Sequence, residues 1–118
     1  MRALIFAVVC SIAASPALAG GNGCRIVHGR MTLANGAPSV RIWVVGTRRV
    51  LGVVQQHESF DDLPANIRGL WGAHGDDAMW SSYLFGNFRV CAITRSKSGW
   101  MQFVTVSEGA NLRIRPRT

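Results

Sequence analysis

What most constrains this chain is how often its apolar runs are interrupted. Short β-branched and aromatic runs alternate with Gly, Pro, Asn and Ser clusters along most of its length. That is the pattern of strands and tight turns. In VRIWVVGTRRVLGVV, residues 40–54, two such runs flank a Gly-led connection, which reads as a β-hairpin. Arg48 and Arg49 then fall at a hydrated tip, with little claim beyond their charge. CRIVHGRMTL before it is a strand with Cys24, Ile26 and His28 on one face, ended by Asn35-Gly36 and Pro38. That parity lets His28 point inward near the cysteine, as a hydrogen-bonded core or edge histidine.

Later in the chain, YLF and FRVCAITR flank Gly86-Asn87, which is either a turn or a bulge in one long strand. SKSG is a turn, WMQFVTV a strand and SEGAN a turn. The last strand is LRIRP, whose strict alternation gives it one solvated face. FDDLPANIRGLWG, residues 60–72, reads as a two-turn helix, with Asp62 as N-cap, Pro64 in the first turn and Gly72 as the stop. Leu63, Ile67, Leu70 and Trp71 form its apolar face, and HGDDAMWSS beyond it reads as loop. The expected fold is all-β: a small antiparallel β-sandwich or partly closed barrel of roughly six or seven short strands. One short helix lies in an insert covering residues 56–82.

The N-terminus MRALIFAVVCSIAASPALA has the order of an export signal. Arg2 is the positive start, Leu4 to Ala14 the apolar run, and Ala17-Leu18-Ala19 the small-x-small site. Cleavage is expected after Ala19, leaving residues 20–118 as a single β domain. Cys24 lies too far behind the apolar run for a lipoprotein anchor, and no later run is long enough to span a bilayer. Removing the leader removes Cys10, so Cys24 and Cys91 remain as the one pair available in an oxidising compartment. They are expected to form a disulfide. The rival reading, Cys91 as a nucleophile, requires a reduced thiol there.

NGAP at the end of the first strand, the VRIWVV strand followed by GT, and the later FGNFRV together resemble transthyretin-like and carboxypeptidase-regulatory-like domains. The likeness spans about a third of the chain, and about thirty residues including the insert separate its two parts. It implies a β-sandwich of accessory or binding type and carries over no catalytic residue.

Charge is unevenly distributed. The formal net charge is +7, yet five of the six acids, Glu58, Asp61, Asp62, Asp76 and Asp77, lie between positions 57 and 77. A basic body with an acidic insert favours anionic partners. Within the insert, His57, Asp61, His74 and Asp76 are candidate ligands for zinc or a similar ion, and its carboxylates alone would suit calcium. The spacing matches neither HExxH nor a calcium loop. Glu58 with Asp61 or Asp62 could form a carboxylate pair for glycoside cleavage, but a domain this small offers little room for a cleft. No nucleophile elbow and no phosphate loop is present, and no cofactor is expected.

The arginines are the other candidates. Arg41 shares a strand face with Trp43, as do Arg89, Cys91 and Arg95 with one another, and Arg113 with Arg115. If their strands are neighbours they form a cationic stripe with Trp43, and Trp100, interleaved. The expected function is that of an exported, non-enzymatic binding or accessory module of the cell envelope, periplasmic or secreted. Its partner is expected to be an anionic glycan or an acidic envelope protein, with no specific nucleic acid. The alternative is a metal-binding protein or small metal-dependent hydrolase built on the insert.

Overall fold

Alternation decides which side chains meet. In the strand Ser82–Ala92, residues Ser82, Leu84, Gly86, Phe88 and Val90 are buried while those between them are not. The computed structural model describes residues 23–54 and 60–117. The expected leader, together with His57 and Glu58, lies outside the described residues. The described strands are β1 (Cys24–Leu33), β2 (Val40–Val44), β3 (Val50–Val53), β4 (Ser82–Ala92) and β5 (Gln102–Pro116). Two short helices, α1 (Ala65–Trp71) and α2 (Asp76–Trp80), connect β3 to β4.

Of the two architectures left open by the sequence, the strands form the barrel. They close in the order β1-β2-β3-β5-β4, with β4 returning to β1. The sheet departs from the expected antiparallel pattern at one place, because β3 and β5 run parallel, Leu51 opposite Gln102 and Val53 opposite Val104. The helical crossover carries the chain from β3 to β4 beside β1. The hairpin partner of β4 must then close against β3, and these two strands point the same way.

The strands are fewer and longer than expected. Gly86-Asn87 lies inside β4, and SEGAN lies inside β5. Both sites bend a strand that continues through them. The β4–β5 register shifts between Phe85 and Asn87, and again between Arg89 and Val90. A Cβ on Gly86 would sit 2.7 Å from Leu112 Cδ2 and 3.0 Å from the Ala110 carbonyl. This glycine therefore serves a close strand crossing, and bulged, curved strands are what closing a small barrel requires.

Val27, Met31, Val40, Ile42, Leu51, Val53, Leu84, Phe88, Val90 and Val104 fill the barrel. Leu63, Ile67 and Trp71 join the same core from α1 and the turn before it, and Met79 from α2. Trp71 Nε1–H donates to Ser82 Oγ at 3.1 Å, and that hydroxyl donates to the Ala78 carbonyl at 2.7 Å. Asn66 Nδ2 donates to the Gly109 carbonyl at 2.6 Å, tying α1 to β5. Three details differ from expectation. Pro64 precedes the first helical residue in place of Asp62; it has no N–H to leave unpaired in the first turn. Leu70 is exposed: α1 buries Ile67 and Trp71, one turn apart, and Leu70 stands at the flank of that two-residue stripe. The segment expected to be loop holds α2, with Asp76 and Asp77 in its first turn and Met79 buried.

Cys24 and Cys91 form a disulfide between directly opposed residues of β1 and β4. His28 shares their face as expected, but that face is the outer one. Val27, Gly29 and Met31 are the inward residues of β1, and His28 stands exposed with Nδ1 3.0 Å from Asn87 Oδ1.

Candidate anion-binding cleft

Two loops lie side by side because β3 and β5 both begin at the same end of the barrel. One is the β2–β3 turn, residues 45–49, and the other is the β4–β5 loop, residues 93–101. Their approach forms a cleft of about 800 Å³ whose lining includes Arg48, Arg49, Ser96, Lys97, Ser98 and Trp100. None of its lining side chains among the described residues is acidic.

Local hydrogen bonds fix both walls. Thr47 Oγ1–H donates to the Val44 carbonyl at 2.7 Å, and Arg49 N–H donates to Thr47 Oγ1 at 3.0 Å. Trp43 Nε1–H closes the same turn on the Thr47 carbonyl at 2.7 Å. Across the cleft, the Trp100 N–H bonds the Lys97 carbonyl at 3.0 Å, and Gly99 supplies the left-handed φ of 83° that this turn needs. Lys97 Nζ lies 4.9 Å from the ring centroid of Trp100, which is 70 % exposed. Beside the cleft, Pro38 and Met101 lie against β3 over Gly52, where a Cβ would meet Pro38 Cγ at 2.6 Å and Met101 Sδ at 2.8 Å.

At its inner end the cleft meets an unusual pair. Gln102 is only 5 % exposed, and its Nε2–H donates to the Thr94 carbonyl at 2.9 Å. Its Oε1 accepts from Arg49 Nη2 at 2.9 Å and from Arg25 Nη2 at 3.3 Å. Two guanidiniums thus share one neutral oxygen. Partial burial, and then repulsion from Arg49, hold the Arg25 guanidinium below the ordinary arginine value.

The expected arginine stripe is partly assembled. β2, β1, β4 and β5 are successive neighbours, and Trp43, Arg30, Phe85 and Arg113 face one another in register across them. Arg115 lies opposite Tyr83, and both Arg113 and Arg115 are exposed. The cation over Trp43 is Arg30, which the sequence did not single out. Its guanidinium lies 4.8 Å from the Trp43 ring and 4.1 Å from Tyr83, and Arg117 stacks on Tyr83 at 5.3 Å. Arg41 instead donates to the Pro38 carbonyl at 3.1 Å and the Asn35 carbonyl at 3.4 Å, bracing the β1–β2 loop. Arg89 donates to Ser107 Oγ at 2.9 Å, with Cys91 Sγ 3.7 Å away. Arg95 does not share that face, since β4 ends at Ala92 and Arg95 is exposed in the following loop.

Of the candidate metal ligands, His74 and Asp76 are exposed at the entrance to α2. His57 and the side chain of Asp61 lie outside the described residues. Among the described residues no three His, Cys, Asp or Glu side chains converge as a cation site would need. Arg25, Lys97 and Gln102 escaped the sequence reading, and Arg48 and Arg49 were read as mere turn polarity. The available signal was the pairing of a GTRR turn with a SKSGW loop, but only the parallel β3–β5 contact makes them neighbours.

The five strands thus form a ring in the order 1-2-3-5-4, with the helical crossover between the third and fourth. Comparison with family models, curated proteins and solved structures returned no match, so the cleft is read from its own chemistry.

Proposed function

We propose that this protein is an exported, non-enzymatic binding module of the cell envelope whose basic cleft takes an anionic glycan. The observation that carries the reading is the cleft: Arg48, Arg49 and Lys97 surround an open indole, with serine hydroxyls and no acidic lining among the described residues. A ring platform beside several cations suits a sugar bearing anionic groups. The concavity favours a narrow chain over the broad face of an acidic protein. The formal net charge, +7 for the full chain and +6 once Arg2 leaves with the expected leader, attracts such a polymer from a distance. The Cys24–Cys91 disulfide fits an oxidising compartment, and no helix among the described residues is long and apolar enough to cross a membrane.

The test is a tryptophan-fluorescence titration with an anionic oligosaccharide and a neutral one of equal length. The anionic chain is expected to bind, and Lys97→Ala and Arg48→Ala are each expected to weaken it by about three- to tenfold. Equal affinity for the neutral chain would count against the proposal.

A further inference from the structure

We infer that the inner end of the cleft, where Arg49 and Arg25 share Gln102 Oε1, is a receptor for a phosphate monoester carried on a sugar. This rests on the anionic-glycan reading and narrows its substrate class. Gln102 cannot be reversed to relieve the pair. Its Nε2 is committed to the Thr94 carbonyl, and turning it would set an amide donor against two guanidinium donors. Each guanidinium has five N–H donors, and the shared oxygen accepts only one bond from each. Among the described residues, no carboxylate opposes the mutual repulsion felt by Arg25.

Two positive charges held together over a neutral acceptor are best matched by a ligand bringing two negative ones. A phosphate monoester carries about −1.5 to −2 at pH 7. A carboxylate, a sulfate ester or a phosphodiester carries one. Arg49 lines the cleft and is placed to contact the ester directly. Arg25 lies on the other side of the shared oxygen, outside the cleft lining, and acts as the second charge and as a positioning residue. Lys97, Ser96 and Ser98 offer further donors. Trp100, exposed beside them, can cover one sugar face. A nucleic acid fits less well, because Trp43, the other indole near this end, is already covered by Arg30. Trp100 is then the one aromatic ring lining the cleft among the described residues, where successive bases would need several.

The test compares a hexose 6-phosphate with the matching hexose 6-sulfate, by calorimetry on the disulfide-bonded mature chain at pH 8. The two esters share shape and differ by one charge. The phosphate ester is expected to bind at least about fivefold more tightly. That margin should vanish at pH 5, below the second phosphate pKa of about 6. Arg25→Gln should remove the margin while leaving anionic-oligosaccharide binding in place, and Arg25→Lys should restore part of it. Arg49→Gln should abolish binding of both esters. Inorganic phosphate should bind more weakly than the hexose phosphate, a difference that Trp100→Ala erases. Equal binding of the two esters overturns the proposal, as does a margin that survives Arg25→Gln. Equal affinity for inorganic phosphate overturns the sugar as its source, and tighter binding of a single-stranded oligonucleotide overturns the ligand class. Loss of oligosaccharide binding by the unaltered protein would instead refute the broader function.

Discussion

Replacing both Cys24 and Cys91 by serine removes a link between residues 67 apart in sequence. The chain-entropy model assigns about 4 kcal/mol to closing a loop of that length in the unfolded state. In a domain of this size, that corresponds to a fall in melting temperature on the order of 15–30 °C. The location adds a local effect. Residues 24–27 of β1 pair with β4 alone, since the β2 side joins β1 only from His28, whose carbonyl accepts from the Val45 N–H at 3.0 Å. Without the link, this end is free to fray before the barrel opens. Arg25 follows Cys24 directly, so fraying draws its guanidinium away from Gln102. Urea unfolding of the double variant should therefore show a lower midpoint and a steeper slope, because the unlinked chain exposes more surface when unfolded. Calorimetry should show weaker binding of a phosphate ester at temperatures where the fold is still intact. A stability loss below about 1 kcal/mol would refute the loop-closure reasoning. Unchanged ester affinity would refute the coupling to Arg25.

Three further outcomes follow from the packing. Gly29→Ala places a methyl against the Ile42 side chain inside the barrel and should cost about 1–3 kcal/mol in chemical denaturation, while Arg30→Lys beside it should cost less. Ile67→Ala empties a fully buried position and should lose about 2–5 kcal/mol, with no change in ligand specificity because α1 packs on β5 at Gly109 and lines no part of the cleft. Tyr83→Ala removes the ring shared by Arg30 and Arg117 and should cost about 1–2 kcal/mol by thermal melting, whereas Tyr83→Phe keeps the ring and should stay within about 0.5 kcal/mol.

Local chemistry was legible, and long-range pairing was not. Strand content, the β2–β3 hairpin and the cysteine pair could be read because period-two alternation, turn residues and an even cysteine count are local or compositional signals. The strand count came out high because Gly86 and the SEGAN segment look like turns. They are instead bends that let long strands wrap a small barrel. The face bearing Cys24, Ile26 and His28 was grouped correctly but turned the wrong way, since parity groups side chains without saying which group is buried. The cleft was hidden for a different reason. Arg49 and Lys97 are 48 positions apart, and Arg25 and Gln102 are 77 apart. No periodicity crosses such distances, and only the closing order of the strands makes these residues neighbours.

The parallel pairing of β3 with β5 also sets an order of events. Leu51 meets Gln102, and Val53 meets Val104, only after the whole helical crossover and β4 have been made. Until then β3 has β2 as its only partner and presents an open edge. A chain cut short before Gln102 would keep that edge exposed, would lack the shared amide oxygen, and would leave the 93–101 wall of the cleft with no strand to anchor it. Self-association and loss of ligand binding should therefore appear together, since one closing strand supplies both the seal of the barrel and the floor of its binding site.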